Sequence, residues 1–182
     1  MRVLRSVDIR PPYHRLALAV ECQKMKKRDP EQVRLAMQAD QVAGGIVDLA
    51  VYLQQGGDPN VRVGPRRDPL LHVAFETLRL EPLELLRQAG SDIDAADSEG
   101  RTLLHLAVET DVDGSVQNDW PLTMAWTRLV LRLGADATRR DLEGRTPGDD
   151  AQRWGGPTAA HAYGRALKEA RPPDRHREAG PD

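Results

Sequence analysis

The sequence predicts an all-α fold, a solenoid of about four helix-turn-helix units behind an N-terminal capping helix, and three observations lead to it. First, the stretch Asp97-Ser-Glu-Gly-Arg-Thr-Leu-Leu-His-Leu-Ala recurs in part. Leu71-His72-Val73-Ala74 places His72 33 residues before His105, and Asp141-Leu-Glu-Gly-Arg-Thr-Pro repeats the first half 44 residues downstream. Second, Gly56-Gly57-Asp58, Gly90-Ser91-Asp92 and Gly134-Ala135-Asp136 each follow an apolar segment. His72 stands 18 residues before Gly90 but His105 stands 29 before Gly134, so 11 extra residues fall inside the third unit, between its helices. Third, aromatic residues make up only 4% of a chain that is 40% hydrophobic, so the core is aliphatic and made by short stacked helices.

Residues 1–29 read as a lead-in and cap. Pro11-Pro12 resist helix formation, and a helix is expected from Tyr13 to about Arg28. Its Lys24, Lys26, Lys27 and Arg28 sit at the end where positive charge complements the helix dipole. In the first unit (30–62), Asp29-Pro30-Glu31-Gln32 supplies a cap, a first-turn proline and a capping-box glutamine for a helix ending near Gly44-Gly45. A second helix, Ile46–Gln54, is stopped by Gly56, and the next loop exposes Arg62, Arg66 and Arg67. The second unit (63–96) gives helices Pro69–Leu78 and Glu81–Gln88, with Leu80, Leu83, Leu85 and Leu86 facing the core.

In the third unit (97–140) the first helix is expected to end near Thr110. Asp111–Asn118 then forms a polar loop, and Asp119 caps a second helix carrying Leu122, Trp126, Leu129, Val130 and Leu133. The fourth unit (141–170) has Gly148 and Asp149 where Leu104 and His105 stand in the third, a polar replacement that a terminal unit with one neighbour tolerates. Gly155-Gly156 precedes a final helix, Thr158–Ala170. Residues 171–182 hold three prolines and mixed charge and are expected to be disordered.

The Thr-x-Leu-His segment with its 33-residue interval resembles the ankyrin repeat, whose signature is Thr-Pro-Leu-His-x-Ala, with Leu103 here in place of the proline. The resemblance covers roughly residues 30–170. It implies a structural role for His72 and His105, hydrogen-bonding between neighbouring turns. It also implies a partner-binding concave face of turn tips and inner helices. The positions matching that face are Arg66, Asp68, Glu76 and Thr77; Ser98, Glu99, Arg101, Glu109 and Thr110; and Arg139, Arg140, Glu143 and Arg145. Their charge alternates in sign from turn to turn, which favours a protein of complementary pattern over a polyanion.

Composition narrows the chemistry further. A net charge of −2 leaves no field for nucleic acid. Only four of the 26 basic residues are lysine, an arginine bias that points to a GC-rich bacterial coding sequence. Cys22 is the only cysteine, so neither an internal disulfide nor a thiolate zinc cluster can form, and a cytoplasmic location is expected. The run Leu16–Val20 is too short for a membrane span or an export signal. His14, His161 and His176 have no companions at ligand spacing, and no nucleophile elbow, phosphate loop or dinucleotide fingerprint occurs.

Asp111-Val-Asp-Gly puts glycine fourth, where a calcium loop of the EF-hand type needs it sixth. Trp126 is assigned to the core, and Trp120 either to the core or to a partner. The expected function is therefore a non-enzymatic, cofactor-free binding protein, monomeric when free, that recognises one protein partner as an inhibitor, a toxin-neutralising immunity protein or a regulatory partner of an enzyme. The alternatives are a passive assembly scaffold, or an enzyme or metal-binding protein using the 111–119 insertion.

Overall fold

The computed structural model describes residues 28–39, 44–118 and 121–170, and among these the chain forms seven helices and one pair of two-residue strands. It divides into two compact units, Met1–Glu99 and Gly100–Asp182. The expected capping helix of residues 13–28, the cap Asp119, Trp120 and the tail 171–182 lie outside the described residues, apart from Arg28. No described helix is long and apolar enough to cross a membrane.

Unit 1 begins with α1 (Pro30–Gln38), where the Asp29 carboxylate accepts the Glu31 N–H at 2.8 Å and proline fills the first helical position. Four residues apart on one face, Val33 and Met37 are buried. Helix α2 (Gly44–Gln54) buries Ile46, Val47, Leu49, Ala50, Val51 and Tyr52, too many for one stripe, because it packs against both α1 and α4 (Leu80–Gln88). Between them lie strands β1 (Arg62–Val63) and β2 (Asp68–Pro69), paired antiparallel with Val63 opposite Asp68, and α3 (Leu70–Glu76). Helix α3 packs on α1 as α4 packs on α2, so the two helix pairs of this unit are stacked like on like.

Unit 2 holds α5 (Leu103–Asn118), α6 (Ala125–Arg132) and α7 (Pro147–Ala170), each packed on the other two. Gly156, at φ 63° and ψ −159°, breaks α7 into two segments, and Pro157 starts the second. Alanines 151, 159, 162 and 166 line the buried face of α7 and allow close approach to the Leu103, Leu104, Ala107, Val108 and Val112 side chains of α5.

One turn recurs three times. At the ends of α2, α4 and α6, Gly56, Gly90 and Gly134 take φ of 81°, 94° and 99°. The next N–H in each case (Gly57, Ser91, Ala135) returns to the carbonyl five residues back (Tyr52, Leu86, Val130). The aspartates that follow, Asp58, Asp92 and Asp136, each accept the N–H two residues on, at 2.9, 3.0 and 2.9 Å. In unit 1 two of these turns are joined side by side, the Asn60 side-chain oxygen accepting the Asp92 N–H at 2.8 Å.

Several expectations need correction. The segment 111–118 is not a loop: α5 runs on to Asn118, with Asp111 and Val112 held by tertiary partners while Asp113, Val116 and Gln117 stay exposed. Val112 is buried against Gly155, and the Asp111 carboxylate accepts the Trp126 and Thr127 N–H groups at 3.2 and 2.8 Å. Helix α6 starts only at Ala125, after Met124 in the left-handed region, so Leu122 precedes it and Trp126 in its first turn is half-buried. Leu80 opens α4 from its exposed side and faces solvent. The polar replacement at 148–149 has a packing cause, since Gly148 leaves the space that the Tyr163 ring fills. Asp149 and Thr146 also exchange hydrogen bonds as a capping box, at 2.8 and 3.2 Å.

Two glycines of unit 2 separate backbone strain from crowding. A Cβ at Gly134 (φ 99°) meets nothing within 4 Å, whereas one at Gly100 (φ 79°) lands 2.8 Å from the Leu142 backbone nitrogen. Gly134→Ala should cost about 1 kcal/mol and Gly100→Ala about 2 to 4 kcal/mol in chemical denaturation. Equal costs would show that the close approach is not a constraint.

Candidate functional site

The two histidines are held as structural groups. His105 is buried, and its Nδ1 accepts the Thr102 N–H at 3.1 Å, with the Thr102 hydroxyl at 2.9 Å. That leaves the proton on Nε2, which donates to the Arg145 carbonyl at 3.1 Å. His105 therefore sits three residues after its threonine and does for α5 what Asp149 does for α7. In unit 1, His72 Nε2 donates to the Ala95 carbonyl at 2.9 Å.

Around Arg145 lies the densest polar cluster of unit 2. Asp141, its side chain 1% exposed, accepts the Glu143 and Arg145 N–H groups at 2.9 and 2.8 Å and takes a two-pronged bond from the Arg145 guanidinium at 2.9 and 2.7 Å. Burial alone would raise the Asp141 carboxyl, but the Arg145 N–H and guanidinium bonds outweigh it and hold the group below its ordinary value. Asp150 behaves oppositely. It is buried, its Oδ1 accepts no hydrogen bond among the described residues, and its nearest cation is Arg145 at 3.5 Å. Desolvation pushes it up against the pull of the Arg145 and Arg101 guanidinium groups. Burial likewise pushes the Tyr163 phenol up to about 12.

The expected partner-binding residues divide between the two units. In unit 1, Arg66, Glu76, Ser98 and Glu99 are exposed. Arg66 lies 3.2 Å from Asp68, Glu76 accepts from Gln38, and Thr77 turns its hydroxyl back to the Ala74 carbonyl. In unit 2, Arg139, Arg140 and Glu143 are exposed, Arg101 pairs with Glu109 at 3.3 Å, and Thr110 is half-buried. Arg145 is committed to the Asp141 cluster and to Glu143 at 2.6 Å, so it serves the fold more than the surface.

Three exposed large apolar residues of unit 2 were not among the expected positions, one of them Val116 on α5. Leu142 is 79% exposed at a turn tip, and Trp154 is 52% exposed with the Arg153 guanidinium 5.5 Å from its ring centre. Leu142 was within reach of the sequence, since it aligns with Ser98 in the repeated turn. An open depression of about 450 Å³ is lined by Leu122, Pro157, Thr158, His161, Ala162 and Arg165. Among the described residues no group of three His, Cys, Asp or Glu side chains stands close enough to hold a metal ion.

Comparison with known proteins yields no family model that matches the chain. The chain is similar to a potassium channel, AKT3, of Oryza sativa subsp. japonica, with 35% identity over 94 residues. That match spans 50% of this chain and 9% of the channel. The ankyrin assignment is thereby corrected: no family model supports it, and the residues show where the likeness fails. Leu103 replaces the signature proline, the first unit lacks the Thr-Pro-Leu-His segment, Gly148-Asp149 replaces Leu-His, and α5 is extended to 16 residues.

His105→Ala should lower stability by about 1 to 3 kcal/mol, the cost of leaving its buried partners unpaired, measured by equilibrium denaturation. The two aspartates predict opposite pH behaviour. Asp141, with its folded value lowered, contributes stability above its unfolded value that is lost as pH falls through the folded one. Asp150, with its folded value raised, contributes stability below its unfolded value that is lost as pH rises through the folded one. Asp141→Asn should therefore destabilise at neutral pH, with the deficit shrinking on acidification, while Asp150→Asn should leave neutral-pH stability unchanged or raised. Stability curves of the same shape for both variants would contradict this.

Proposed function

We propose that the chain is a non-enzymatic protein-binding module whose helix pairs are copies of one repeating helix-turn-helix unit, the building block of a solenoid. It recognises one protein partner through the exposed side chains of its turns and neighbouring helices. Binding inhibits or regulates that partner, in the manner of an immunity protein that neutralises a toxin. The observation that carries this reading is the thrice-repeated turn, in which glycine, aspartate and backbone bonds set the chain path while neighbouring positions differ freely. Such an arrangement orders a surface in advance, which lowers the entropic cost of association. The like-on-like packing of α1 with α3 and α2 with α4 supports the repeat.

The test is purification of the tagged chain with its partner from the native host, followed by affinity measurement with purified components. Reversing Arg139 and Arg140 to glutamate, both exposed, should weaken binding roughly tenfold; Arg140 also donates to the Gly144 carbonyl and lies 4.0 Å from Asp149, so helical content and thermal midpoint are measured alongside. Full affinity in that variant removes these residues from the site. A chain that stays alone and turns over a small molecule overturns the proposal.

A further inference from the structure

The hairpin of unit 1 has its backbone pinned independently of its tip. Val63 is buried, the Gly64 N–H donates to the Glu31 carboxylate at 2.6 Å, and the Arg67 N–H closes the turn on the Gly64 carbonyl at 3.1 Å. Arg62 clamps it from outside, donating to the Arg67 carbonyl at 3.1 Å and to the Ala96 carbonyl at 2.8 Å. On this frame Arg66 is 68% exposed, with Asp68 at 3.2 Å, and the Arg67 guanidinium is exposed without a hydrogen-bond or ion-pair partner among the described residues.

Arg67 also sits at φ 57°, in the left-handed region where glycine would be unstrained and a side chain is disfavoured. Its side chain returns nothing to the fold for that strain. Strain held at an exposed, unpaired, charged residue on a rigid frame points to work done outside the molecule.

We infer that the hairpin tip, Arg66 and Arg67 backed by Arg62, is a carboxylate-recognition site that takes a short Asp/Glu-rich segment of a protein partner. The site rests on the protein-binding reading above and gives that partner a chemistry. Guanidinium forks match carboxylates two bonds at a time. The cationic strip is short: Asp68 lies at its base, and the clamp to Ala96 brings it to the residue before Asp97. A nucleic acid duplex, carrying a charge about every 1.7 Å, would run onto those carboxylates, whereas a short acidic segment need span only the arginines.

The experiment uses the full chain and a short fluorescein-labelled Asp/Glu peptide, with an Asn/Gln peptide of the same length and a DNA duplex as comparators, followed by fluorescence anisotropy at several salt concentrations. The acidic peptide should bind in preference to both comparators. Arg67→Gly should weaken it roughly tenfold and flatten its salt dependence, with a thermal midpoint equal to or above that of the parent chain. No preference for the acidic peptide, an unchanged affinity in Arg67→Gly, a lowered midpoint, or tighter binding of the duplex would each overturn the site. A protein partner captured equally well by Arg67→Gly would remove this site and leave the protein-binding reading standing.

Discussion

The buried carboxylate of Asp141 is the point on which unit 2 depends. It satisfies two backbone N–H groups and the Arg145 guanidinium at once, and so fixes the turn that brings the Arg145 carbonyl to His105 and the Leu142 backbone to Gly100. A buried charge is tolerated only when all its acceptor sites are used. Here one arginine supplies both main-chain and side-chain donors, so the turn is closed by a short loop of its own chain. Everything in contact with that turn inherits its position: the tautomer of His105, the capping of α5 and the entry of α7.

Unit 1 solves the same problem with less charge. Its turns are closed by Asp58 and Asp92 on their own backbones and joined by the neutral amide of Asn60. Hydrogen bonds that stay within a turn leave the outward positions free of structural duty. That is why the exposed residues differ in charge and size from turn to turn while the glycine and aspartate recur. Two outward residues break this economy, Arg67 and the exposed Leu78, whose backbones at φ 57° and 50° would be more comfortable as glycine.

Much of this was legible in the chain. Asp29-Pro30 marked the start of α1 to the residue, the three Gly-x-Asp segments marked the ends of α2, α4 and α6, and the role of His105 as a bridge between turns was implied by the resemblance of its segment to a known repeat. Turn and cap chemistry reads well because its partners are two to five residues apart. The course of 111–118 did not read, since Asp111, Asp113, Gly114 and Ser115 look like a loop until Val112 meets Gly155 and Asp111 meets α6. Leu80 misled because one residue at a helix start has no period to place it. Family membership did not follow from the motif either, because the turn chemistry is generic and the segment that would have been specific is complete in no unit.

The carboxylate of Asp111 holds the start of a helix to which it does not belong. Helix α6 has eight residues, too few to persist in water alone, and a left-handed methionine in place of its own capping side chain. Its beginning is therefore borrowed, and cannot exist before the third turn of α5 is in place. The contact that starts α6 reaches back 15 residues from Trp126, where a cap ordinarily lies within three, so the first turn of α6 depends on α5 being in place.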